Sequence, residues 1–168
     1  MKEIIFVRHA KSEWGNESLN DIDRPLNERG YGDAYFLSSW YAKNKPVPDL
    51  IVSSTATRAY NTAQIFARAL QLKSNKFQLE EKIYESSVET LLGIIKNLPT
   101  SANRVMMFGH NPGFTNISNE ITTDLFFDNV PTCGMVSFQL DIDNWIQPVI
   151  KKGKLLFYQF PKEFKNRD

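Results

Sequence analysis

The chain has 168 residues, a formal net charge of +1 and an apolar fraction of 42%. That length suits one domain with its own core, and the balanced charge gives no global field for nucleic acid or an anionic membrane, so any attraction for anions must be local. A single cysteine, Cys133, excludes an intrachain disulfide. It fits a reducing, cytoplasmic setting and reads as a small buried apolar side chain.

The opening apolar run breaks at Arg8, too early for a signal peptide or a membrane span. Residues 4–7 read instead as a strand covered on both faces. Residues 27–43 place Ala34, Leu37 and Tyr41 on one helical stripe. The turn signal Pro46-Val47-Pro48 leads into a strand over 49–54, and residues 57–70 carry Ala59, Ala63, Phe66, Ala67 and Leu70 on a helical face. A short strand follows over 77–79. Next comes a helix over 87–98, with Val88, Leu91, Leu92, Ile95 and Leu98 on its face, stopped by Pro99. Residues 105–108 form the fourth apolar strand. Asn111-Pro112 reads as an N-cap followed by proline at the first helical position, opening a helix to about residue 120. Strands are expected over 136–140 and 155–160, and the charged tail, residues 161–168, is expected to fray. Trp40, Tyr41, Trp145 and the Phe126-Phe127 pair read as core or as a contact patch, with the core as the default.

Strand and helix alternate as far as residue 120, which implies βαβ units. The fold class is therefore α/β: a three-layer α/β/α arrangement with a mostly parallel sheet and an antiparallel edge from the last two strands. Residues 1–160 read as a single domain.

In such sheets ligands bind beyond the carboxyl ends of the strands. Both histidines of the chain sit there, in Arg8-His9 and in Gly109-His110-Asn111, and a third strand end supplies Arg58. An arginine offers a planar fork of donors that matches two phosphate oxygens. A neutral imidazole attacks phosphorus with one nitrogen when an acceptor holds the proton on the other. Flanking arginines disfavour a third positive charge and keep His9 nucleophilic near neutral pH. Singly, each residue has an ordinary structural reading; together they describe a cationic pocket for metal-free phosphoryl transfer. Glu85, between the short third strand and the next helix, is the best-placed carboxylate for protonating a leaving group, with Glu13 and Asp23 as weaker candidates.

The segments VRHAKSEW, DIDRPLNERG, SSTATRAYNTA, IYESS and MFGHNP, in this order, resemble the histidine phosphatase superfamily and, within it, the small SixA-type phosphohistidine phosphatases. The resemblance runs from about Lys2 to the FPKEF segment. It implies a phosphoglycerate mutase-like fold, His9 as the catalytic nucleophile, Arg8, Arg58 and His110 as phosphate-binding residues, and Glu85 at the usual proton donor's position. It also implies no metal and no cofactor. Short segments at 10–25 and 85–104 leave little material for a lid, which favours a phosphorylated protein, such as a histidine-phosphotransfer domain, over a small phosphorylated substrate. Neither nucleic acid nor a membrane is an expected partner, and the chain reads as a monomer. The rival readings are a phosphomonoesterase acting on a small metabolite and a non-catalytic phosphate-binding module.

Overall fold

Ile4, Ile5, Phe6 and Val7 are all buried because their strand is central and covered on both faces. The structure, a computed structural model, describes residues 1–165; residues 166–168, the end of the charged tail, lie outside the described residues. The first strand, β1 (Lys2–Arg8), leads through a 3-10 turn at Asp21–Asp23 to helix α1 (Glu28–Asn44). Then follow β2 (Leu50–Ser53), α2 (Thr57–Ala69), β3 (Phe77–Leu79), α3 (Val88–Lys96) and β4 (Arg104–Gly109). The chain closes with α4 (Gly113–Ile121), β5 (Met135–Leu140), β6 (Gly153–Gln159) and a short α5 (Pro161–Lys165).

One six-stranded sheet runs in the order β3-β2-β4-β1-β5-β6. The first four of these strands are parallel, and β5 and β6 are antiparallel. The expected mixed sheet is therefore present, with its antiparallel strands at one edge. Alternation along the strands builds the layers. Ile4, Phe6, Val105 and Met107 face a core with Leu91 and Ile95 of α3 and Phe114, Ile117 and Ile121 of α4. Ile5, Val7, Met106 and Phe108 face the other way, against Ala34, Leu37 and Tyr41 of α1 and Ala63 and Phe66 of α2. The stripes expected for α1 and α2 are thus the faces they bury.

Local chemistry sets the helix starts. Asn27 caps α1 by accepting from Gly30 N at 2.8 Å, and Ser87 caps α3 by accepting from Thr90 N at 3.1 Å. At α4 the expectation needs correction. Pro112, not Asn111, occupies the N-cap position. Asn111 accepts from Thr115 N and Oγ1, at 3.2 and 2.9 Å, while its amide donates to Val130 O at 2.9 Å, so it ties the helix start to the segment before β5.

The tail differs too. Residues 161–165 form α5 rather than fraying, because Phe164 packs on Trp40 (ring centroids 5.4 Å apart) and Phe36 (5.2 Å). Tyr41, Trp145 and Phe127 are core residues as expected and Trp40 is half-buried, but Phe126 is 75% exposed.

Gly30 lets α1 approach the segment that follows β1. A Cβ there would lie 2.0 Å from Lys11 O, which also accepts from Asn27 N at 3.0 Å. Alanine normally favours a helix over glycine by about 1 kcal/mol, whereas this clash with backbone costs more. Gly30→Ala is expected to lose about 2 kcal/mol net in urea unfolding; an unchanged or raised midpoint would contradict the close approach.

Candidate active site

Parallel pairing brings the two histidines together. Arg8 is in register with Gly109, His9 N donates to Gly109 O at 3.0 Å, and the His9 and His110 rings lie 5.3 Å apart, centroid to centroid. Gly109 is itself a close approach, since a Cβ there would meet Phe114 Cζ at 2.5 Å and Ile83 Cγ2 at 2.7 Å. The residues ahead of β5 brace the other side: Cys133 N donates to the carbonyls of Arg8 and His9, both at 3.1 Å. Cys133 is fully buried, and burial pushes its thiol up, which suits the packing role expected of it.

His9 Nδ1 lies 2.7 Å from Ala10 O. A carbonyl only accepts, so this nitrogen carries the proton and Nε2 keeps its lone pair. Ala10 N in turn donates to Thr62 Oγ1 at 3.0 Å, and Thr62 Oγ1 donates to Arg58 O at 2.7 Å, which ties the residue after His9 to the first turn of α2. His110 Nε2 sits 2.8 Å from Ser54 Oγ at the end of β2. Both rings are more than nine-tenths buried, and both pKa values are driven down to about 3. For each histidine burial is the largest cause. The arginines act in the expected direction but add less than desolvation does.

Arg8 donates through Nη1 to Val130 O at 2.9 Å, and Arg58 donates through Nη1 to Asp21 O at 2.7 Å and through Nη2 to Asp21 Oδ2 at 3.0 Å. Arg8 Nε, Arg58 Nε and His110 Nδ1 are buried and find no hydrogen-bond partner among the described residues. Buried donors without acceptors are costly. The two guanidinium nitrogens, with the His110 nitrogen in the tautomer that protonates it, suit a ligand rich in acceptor oxygens.

The structure gathers Arg8, His9, Arg58 and His110 and adds residues that the pattern did not single out. Asp21 accepts from Arg58, from Tyr84 Oη at 2.6 Å, and from Arg24 Nη2 at 3.0 Å and Nε at 3.3 Å. The Tyr84 phenol first, and the two arginines after it, hold the Asp21 carboxyl well below the usual carboxylate range, while the same bond pushes Tyr84 up to about 12. Arg24 also donates to Ser12 Oγ, stacks its guanidinium 3.7 Å from the centroid of the Trp14 ring, and lowers the proton affinity of His110. It was visible in sequence only as part of the DIDRPL segment. Asp23 and Glu13 are exposed, and Glu13 contributes its carbonyl to Arg24 at 3.2 Å. Glu85 is exposed, follows Tyr84 directly and has its backbone in the left-handed region at φ 55°, uncommon for a glutamate.

A mixed α/β sheet with paired histidines among arginines at its carboxyl edge defines a phosphate-handling enzyme. The model of the histidine phosphatase superfamily (branch 1) matches residues 4–112, and the chain belongs to that family and is a phosphatase. An uncharacterized chloroplast protein of Arabidopsis thaliana is 27% identical over 165 residues, covering 90% of this chain and 72% of its own length. A 2,3-bisphosphoglycerate-dependent phosphoglycerate mutase of Cutibacterium acnes is 32% identical over 65 residues, covering 38% of this chain and 26% of its own. Among solved structures, a candidate phosphohistidine phosphatase SixA from Agrobacterium tumefaciens superposes with a TM-score of 0.81 at 28% identity, covering 95% of this chain and 98% of its own. A protein histidine phosphatase SixA complexed with tungstate shares the fold, with a TM-score of 0.81 at 18% identity over 96% of this chain and 99% of its own.

The buried histidines give a pH signature. Their folded pKa values lie below the unfolded value of 6.5, so the unfolded chain binds more protons as pH falls from 6.5 toward 3. Stability is retained above 6.5 and lost on acidification, with a slope of up to about 1.4 kcal/mol per pH unit per histidine. Urea titrations from about pH 7.5 down to about pH 4.5 should show this loss. Stability that is flat or rising toward acid would contradict buried neutral histidines.

Proposed function

We propose that this phosphatase removes a phosphoryl group from phosphohistidine on a protein, without a metal, through a phosphohistidine formed on His9. The observation that carries the reading is the bond from His9 Nδ1 to Ala10 O, which leaves Nε2 as a neutral nucleophile beside arginines and His110. Nε2 forms a bond to phosphorus as the phosphorus–nitrogen bond of the substrate breaks, and the departing imidazole nitrogen takes a proton from solvent. Water then attacks phospho-His9, releasing phosphate and restoring the free imidazole. Arg8 and Arg58 offset the charge on the transferring oxygens, the part a metal would otherwise play. His110 donates from Nδ1 when the Ser54 hydroxyl donates to its Nε2.

A protein substrate is supported by the segment after β1, which exposes Trp14, Leu19 and Ile22 along the stretch that carries Asp21 and Arg24. The candidate SixA neighbour at 28% identity points the same way. The second reading, a phosphomonoesterase acting on a small metabolite, is favoured by the stretch shared with the phosphoglycerate mutase. An alkoxide needs a proton more than an imidazole does, so the two readings differ in their dependence on Glu85.

Phosphate release from a phosphohistidine peptide in the presence of chelator tests the main reading. His9→Ala should lower it on the order of a thousandfold or more, whereas release that survives in His9→Ala would point to another nucleophile, and no release by either protein would favour the ester or binding-module reading. Glu85→Gln separates the enzyme readings: it should leave phosphohistidine turnover nearly unchanged while costing about a hundredfold on phosphate esters. An equal loss on both substrates would favour the metabolite phosphatase.

A further inference from the structure

The phosphate pocket contains its own anion. Asp21 lies in the 3-10 turn after β1, yet its carboxylate accepts from Arg58 in the first turn of α2, from Tyr84 ahead of α3, and from Arg24. Its side chain is 49% exposed while those of Arg58 and Arg24 are 7% and 11% exposed, so the carboxylate stands outward of the guanidinium groups it holds. It is close enough to His110 to act on that ring electrostatically. With both histidines neutral, the charged groups that act on His110 are Arg8, Arg24 and Arg58, three positive charges, and Asp21, one negative charge. Two positive charges remain, which match a phosphoryl dianion and leave no surplus for a further anionic group.

We propose that Asp21 determines specificity: by setting the charge of the pocket it admits phosphoryl groups on neutral or cationic carriers and disfavours phosphate esters that bear an additional carboxylate. This rests on the phosphohistidine reading and deepens it, since an imidazole carrier brings no negative charge. Asp21 also positions Arg58 and Arg24, and that role affects all phosphorylated ligands alike. Charge selection affects only the ratio between them.

The test is therefore a ratio. Calorimetric binding of inorganic phosphate and of 3-phosphoglycerate, which carries one extra carboxylate, is compared at constant ionic strength in a His9→Ala background that prevents turnover. Adding Asp21→Asn should raise the affinity ratio of 3-phosphoglycerate to phosphate about tenfold, while Asp21→Glu, which keeps the charge, should leave the ratio near its starting value. Asp21→Ser serves the same measurement if Asp21→Asn does not fold. An equal weakening of both ligands would reduce Asp21 to a positioning residue and overturn the proposal, as would an unchanged ratio. Turnover of the phosphohistidine peptide by wild type is measured separately. Its absence would refute the proposed reaction while the binding ratio still decides the role of Asp21.

Discussion

Parallel pairing between β1 and β4 is the constraint on which the site depends. It sets Arg8 beside Gly109, and the next residue on each strand is a histidine, so one hydrogen-bonded register delivers both rings to the same edge of the sheet. A slip of one residue would turn the apolar side chains of β1 to the wrong layers and separate the rings. Register here is enforced by two cores at once, because Ile4 and Phe6 belong to one and Ile5 and Val7 to the other. Packing and chemistry are secured by the same backbone bonds.

Around that pair the protein balances burial against charge. Burying two imidazoles keeps them neutral, and it does so more strongly than the neighbouring arginines do. The arginines are themselves partly committed to protein acceptors, Arg8 to Val130 O and Arg58 to Asp21, while their Nε atoms find no partner among the described residues. Such an arrangement holds the donors in place before a ligand arrives, the usual source of electrostatic catalysis. The segment after β1 belongs to the site as well. Gly30 admits it against α1, and Asp21 and Arg24 reach from it to Arg58, Tyr84 and Ser12.

The principal elements were legible because each leaves a local mark. Short apolar runs marked the strands, the stripe of Ala34, Leu37 and Tyr41 marked α1, and the ends of the strands marked Arg8, His9, Arg58 and His110. The misplaced features depend on partners distant in sequence. Asn111 is drawn from the N-cap position by contacts with Val130 and Thr115, and α5 exists because Phe164 finds Trp40 and Phe36. Phe126 is apolar yet exposed beside the buried Phe127, which periodicity in an irregular segment cannot resolve.

Sequence alone determined the α/β class, the mixed sheet and the two histidines and two arginines at the strand ends, because alternating apolar periods and strand-end residues are local properties of the chain. Tertiary structure alone decided that Asp21 joins Arg58, Arg24 and Tyr84, that Thr62 ties Ala10 to α2, and that Ser54 meets His110. Those partners stand up to 63 residues apart, and one exposed-looking acid among several in a loop carries no local mark of the guanidinium groups it will meet.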